Sequence, residues 1–108
     1  MITSESIEPV FAQIIGKHWK QFSIAKENND TYRMKDVLFY WWMSVRSMHN
    51  LVWATRCVDR VEESKRDLAH AMVVVDKHMI NIARLIEEEL GQNPLDKDGL
   101  KELDWDLT

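Results

Sequence analysis

The chain has 108 residues, of which 45 % are hydrophobic and 30 % are charged, and its formal net charge is −4. This length suits one domain, and the balance of hydrophobic and charged residues is typical of a globular protein rather than a disordered one. Its basic residues form no stripe that would neutralise several phosphates, so we do not expect nucleic acid as a partner.

A helix is predicted near the N-terminus. Ser6 can cap its first turn, and Pro9 should follow early enough to remove no hydrogen bond. Its apolar stripe consists of Ile7, Phe11, Ile14, His18 and Phe22. The polar cluster 27–30 should end this helix, and either Asp30 or Thr31 can cap the next one.

Residues 31–90 contain neither glycine nor proline, which predicts helix over this whole length. Mostly apolar stripes at heptad spacing run from Met34 to Val52 and from Tyr40 to Ile86. One continuous helix, roughly 90 Å long, is an alternative to a hairpin with its turn within 59–65. We favour the hairpin because such long helices are rare in globular domains. Residues 64–67 would then form the capping box of the third helix.

The predicted fold class is therefore all-α, a small bundle of about three helices in which an N-terminal helix packs on a long helical hairpin. Gly91 and Pro94 should end the last helix. Residues 1–92 would form the bundle domain and residues 93–108 an acidic and hydrophobic C-terminal tail.

We expect dimerisation to complete the bundle. Five tryptophans and six methionines supply more apolar surface than a domain of this size can bury. Residues 1–58 carry seven basic and five acidic side chains, and residues 59–108 carry seven and thirteen, so the halves differ as +2 and −6. Antiparallel pairing would bring these opposite charges together.

One face of the second helix is the strongest candidate for a binding surface: Phe39, Trp42, Arg46, His49 and Trp53. It places a cation and an imidazole among three aromatic rings at helical spacing, and aromatic and arginine side chains dominate the energetics of protein interfaces. The alternative is an ordinary core face from which Arg46 extends to water.

The C-terminal tail is a second candidate. Its segment 100–107 mixes acids with three leucines and Trp105. Such segments dock into grooves, either on a partner or on their own bundle. We include Trp105 among the predicted partner-binding residues.

Three histidines offer an alternative function, a bundle that binds a metal ion or haem through His18, His49 and His78. No two of them are four residues apart and no haem-attachment motif is present, so we predict no cofactor and no metal. The acids around Glu62 and Asp67 lack the second carboxylate pair that a magnesium-dependent nucleotide hydrolase needs. Cys57 is expected to be buried and inert.

The N-terminal residues lack the basic region and apolar core of a signal peptide, and a single cysteine forms no intramolecular disulfide. Charged residues and a histidine interrupt the most apolar segment, 37–58, whereas a membrane-spanning helix needs about twenty predominantly apolar residues. We therefore predict a cytoplasmic protein without a membrane partner. Its expected function is that of a protein–protein interaction module without catalytic activity: an accessory subunit, adaptor or inhibitor that binds itself and another protein.

Overall fold

Three α-helices make up the fold in the computed structural model, which describes residues 2–95. They are α1 (Ser4–Glu27), α2 (Thr31–Val58) and α3 (Glu62–Leu90), and no strand occurs in the described part of the chain. Short turns make consecutive helices antiparallel, and each helix packs against the other two. The all-α class and the hairpin are confirmed, whereas the pairing of two copies stays a prediction.

Helix α1 begins earlier than predicted, and Ser6 is not its N-cap. Thr3 is the N-cap, because its Oγ1 accepts a hydrogen bond from the Ser6 N–H at 3.1 Å while the Ser6 Oγ accepts one from the Thr3 N–H at 2.9 Å. Pro9 consequently lies past the first helical turn, where its missing N–H does remove a helical hydrogen bond.

The turn between α1 and α2 agrees with the prediction. Asn29 adopts a positive φ of 52°, which asparagine tolerates better than most residues. Asp30 then caps α2, since its Oδ1 accepts a hydrogen bond from the Arg33 N–H at 3.0 Å.

The turn between α2 and α3 is shorter than predicted. The Asp59 carboxylate accepts a hydrogen bond from the Val61 N–H at 2.9 Å, which reverses the chain without glycine or proline. Helix α3 therefore starts at Glu62, and Val61 is an N-cap without a side-chain hydrogen bond. The predicted capping box at residues 64–67 is wrong, because these residues already lie inside α3.

The core lies on the axis between the three helices. The predicted stripe of α1 and the stripe from Met34 to Val52 both face it. The second heptad stripe divides at the turn: its α3 half, from Leu68 to Ile86, is in the core, while Tyr40, Leu51 and Val58 on α2 are exposed. The turn interrupts the helix, so the two halves of the stripe do not stay on one side of the bundle. The half on α3 faces the core, and the half on α2 faces solvent.

Helix α3 ends as predicted at Gly91, whose φ of 75° is the left-handed conformation of a helix C-terminus. Pro94 is buried, so packing against the bundle continues past Gly91. Most of the predicted tail, including Trp105, lies outside the described residues. In residues 2–95, no helix has the length and the apolar character that a membrane crossing requires.

Candidate functional site

The predicted binding residues of α2 do not share one environment. Trp42 is only 2 % exposed and belongs to the core, so it is not part of a surface that a partner can reach. Trp53 is 52 % exposed, Arg46 is exposed, and Phe39 and His49 are half-buried. The burial of Trp42 therefore depends on the side chains that pack over it and not on helical spacing alone.

Two of these residues, His49 and Trp53, border a groove between α2 and α3. The His49 Nε2 lies 4.0 Å from the Asp76 Oδ1 of α3, and this approach locates the middle of the groove. Near the turn the groove widens into a cleft of about 520 Å³, which we call the terminal cleft. Its lining residues are Trp53, Arg56 and Cys57 of α2 and Glu62, Lys65, Arg66 and Ala69 of α3. We call the terminal cleft, together with the surface that joins it to His49 and Asp76, the α2–α3 groove.

The terminal cleft has a basic character. Arg56, Lys65 and Arg66 supply three positive charges against the one carboxylate of Glu62, which lies 3.9 Å from the Lys65 Nζ. The half-exposed indole of Trp53 forms an apolar part of its wall. An indole beside several cations suits an acidic ligand that also carries apolar side chains.

Cys57 is exposed, so the prediction of a buried thiol is wrong. It follows Trp53 by one helical turn, lies near the C-terminal end of α2 and lines the terminal cleft. The apolar neighbours in the sequence suggested burial, but Val58 and Val61 are themselves exposed.

A second surface lies on the side of α2 opposite the core. We call it the outer stripe: Tyr40, Met43, Ser47, Leu51, Ala54 and Val58. It carries no charge, and its large members are exposed. The Ser47 Oγ donates a hydrogen bond to the Met43 carbonyl at 2.8 Å, and the neighbouring Ser44 Oγ donates one to the Tyr40 carbonyl at 2.9 Å. Both hydroxyl donors are thus satisfied inside the helix, which leaves a surface of low polarity.

The three histidines of the metal or haem alternative lie on three helices and have separate partners. His18 is buried, with its Nδ1 2.8 Å from the Ile14 carbonyl, and His78 stacks on Phe11 at a centroid distance of 4.3 Å. Between residues 2 and 95, no three histidine, cysteine or acidic side chains converge on a point that could hold a metal ion. The acids around Glu62 form no such group either.

Sequence reasoning also missed an apolar groove of about 260 Å³ that side chains of all three helices line. Its walls are Ile15, Trp19, Trp41, His78, Asn81, Ile82 and Leu85. Trp19 and Trp41 meet edge to face there at 6.3 Å. Because three helices contribute to this groove, no spacing within one helix could have revealed it; the half-exposed Trp19 beside the stripe of α1 was the available signal.

Comparison with known proteins adds no relative: no family model matches the chain, and no curated protein or solved structure is significantly similar to it. Function is therefore inferred from the two surfaces of α2.

Proposed function

We propose that this protein is a helical interaction module that acts by binding proteins rather than by catalysis. It pairs with a second copy through the outer stripe of α2, and it binds another protein along the α2–α3 groove. The observation that carries this proposal is the uncharged, solvent-facing outer stripe on a helix whose opposite side already fills the core. Exposed apolar side chains that are grouped on one side of a helix are typical of an interface.

The spacing of the outer stripe favours antiparallel pairing about Ser47. Tyr40 and Met43 precede Ser47 by seven and four residues, and Leu51 and Ala54 follow it by four and seven. In an antiparallel pair centred there, Met43 of each copy faces Leu51 of the other. The large Tyr40 likewise faces the small Ala54, so the two surfaces interdigitate.

Charge supports the same orientation. Asp36 is the only acid in α2, and it lies near the N-terminal end of the stripe. Antiparallel pairing separates the Asp36 side chains of the two copies by most of the length of α2. Parallel pairing would instead place Asp36 against Asp36, and like charges in an interface are unfavourable.

Leu51→Glu tests the pairing. A carboxylate at the centre of an apolar interface would be desolvated without a partner, so we expect at least a tenfold weaker association, roughly 1.4 kcal/mol or more. Analytical ultracentrifugation over a concentration series measures it. Ile24→Glu on α1 is the matched control, because Ile24 is 51 % exposed and Leu51 is 53 % exposed. A Leu51→Glu protein that keeps its helical circular dichroism and still associates like the control contradicts the proposal.

A cysteine pair tests the orientation in a Cys57→Ser background. Mixed Met43→Cys and Leu51→Cys subunits should form a disulfide-linked heterodimer on mild oxidation, and neither variant alone should form a linked dimer as fast. Rapid self-linking of Met43→Cys would indicate parallel pairing instead.

A further inference from the structure

We propose that the α2–α3 groove is the docking site of the chain's own C-terminal residues 96–108. In this arrangement Trp105 reaches the terminal cleft, and the acids around it meet the basic residues there. These contacts lie within one subunit and are separate from the pairing of two copies.

The direction of the chain after α3 is the first support. The Asn93 Nδ2 donates a hydrogen bond to the Glu87 Oε2 at 2.9 Å, and the Leu95 N–H donates one to the Asn93 Oδ1 at 2.9 Å. With Pro94 buried, the chain has turned back beside α3 rather than continuing beyond the end of the bundle.

The chain turns back on the groove side of α3. Glu87, Asp76 and Ala69 are separated by eleven and seven residues, which are close to three and two whole helical turns. They therefore lie along one strip of the helix. Asp76 and Ala69 border the α2–α3 groove, so Leu95 starts the tail at the opposite end of that groove.

The length of the remaining chain fits this path. From Glu87 to Ala69 the helix rises about 27 Å, at 1.5 Å per residue. The ten residues from Leu95 to Trp105 span at most about 33–36 Å when extended. Trp105 can therefore reach the terminal cleft of its own subunit.

Charge complementarity identifies the tail as the occupant. Residues 96–108 contain five acids against two lysines, a formal charge of −3. The terminal cleft presents Arg56, Lys65 and Arg66 against the one carboxylate of Glu62. Opposite charges of this kind select a partner and its position more than they add affinity.

Apolar side chains match as well. In the tail, Leu103, Trp105 and Leu107 alternate with Asp104 and Asp106. Beside the groove, Trp53 is half-exposed, and Val73 and Ile80 are exposed one helical turn from Ala69 and Asp76. A segment that offers apolar side chains on one side and acids on the other can cover these residues and pair with the cations.

This inference also defines the other protein that the groove binds, and that step rests on the proposed function. A segment that replaces the tail must share its chemistry: acidic residues around a large apolar side chain.

The exposed Cys57, the only cysteine of the chain, makes the proposal testable in the full-length protein. In an Asp104→Cys variant, mild oxidation should form an intrachain disulfide with Cys57, seen as a monomer that has lost two hydrogens and both titratable thiols. Gln13→Cys, at an exposed position on α1, is the matched control and should form no such bond.

Arg66→Glu in the Asp104→Cys protein measures the electrostatic contribution. We expect it to slow formation of the disulfide by at least roughly twofold, the scale of one solvent-exposed ion pair, and added salt should act in the same direction. The proposal is overturned if both thiols stay free, if the Gln13→Cys control links to Cys57 as fast, or if only disulfides between subunits form. These outcomes are independent of the Leu51→Glu result, so pairing and tail docking can fail separately.

Discussion

At the scale of single residues, His78 shows how burial sets the behaviour of one ionisable group. Its imidazole lies flat on the Phe11 ring, with an interplanar angle of 7°. Burial lowers the pKa of His78 from its ordinary value of 6.5, and Lys77 acts in the same direction. Glu8, whose Oε2 is 3.9 Å from the His78 Nε2, raises the pKa but does not outweigh the loss of hydration.

The lowered pKa of His78 predicts a loss of stability in acid. The folded state binds this proton less readily than the unfolded state, so the free energy of unfolding falls as the pH drops through about 6.5 and stops falling below the folded pKa. His78→Gln should therefore lose less stability than the original protein between pH 7.5 and pH 5, as measured by urea unfolding. His70→Gln, an exposed histidine on the same helix, controls for the replacement of an imidazole. Equal losses in the original and the His78→Gln proteins would contradict this prediction.

At the scale of elements, α1 and α3 begin differently, although both start after an extended residue. Thr3 closes a capping box with Ser6, whereas Val61 leaves the first N–H groups of α3 without a side-chain partner. The backbone of Val61, with φ −92° and ψ 121°, already has the extended conformation that an N-cap residue adopts.

Val61→Ser should consequently stabilise the protein. A serine hydroxyl at this position can accept a hydrogen bond from the first turn of α3, and an N-cap of this kind contributes about 1 kcal/mol. Because Val61 is exposed, little buried apolar surface is lost. Denaturant unfolding measures the gain, with Val61→Ala as the control for the loss of the valine side chain. A serine variant no more stable than the alanine variant would contradict the assignment of this N-cap.

At the scale of the whole molecule, α2 contributes to three surfaces at once. One side fills the core, the outer stripe faces solvent, and a third side borders the α2–α3 groove. The outer stripe and the groove share no residue, so pairing and tail docking should be nearly additive. A protein carrying Leu51→Glu together with Asp104→Cys should be monomeric and still form the intrachain disulfide, at a rate within roughly twofold of Asp104→Cys alone. Loss of the disulfide in this monomer would show that the tail reaches the cleft of a second subunit.

The candidate sites were predictable only in part. Helical periodicity placed Phe39, Arg46, His49 and Trp53 on a common side of α2, and the structure puts His49 and Trp53 of this set beside the α2–α3 groove. The same periodicity could not separate Trp42 from them, because the burial of a ring depends on which side chains of the neighbouring helices cover it. The terminal cleft could not be predicted from the sequence for another reason. Lys65 and Arg66 lie near Arg56 only because the chain turns at Asp59.

The sequence by itself determined that this chain forms helices, where α1 ends and α2 begins, and which stripe of α1 is apolar and faces inward. These features depend on local hydrogen bonding and on apolar spacing, which any segment carries within itself. Only the tertiary structure decided that the heptad stripe from Tyr40 to Ile86 divides into an exposed half and a buried half. Burial depends on which helix lies opposite, and the turn at Asp59–Val61 sets that by rotating α3 relative to α2.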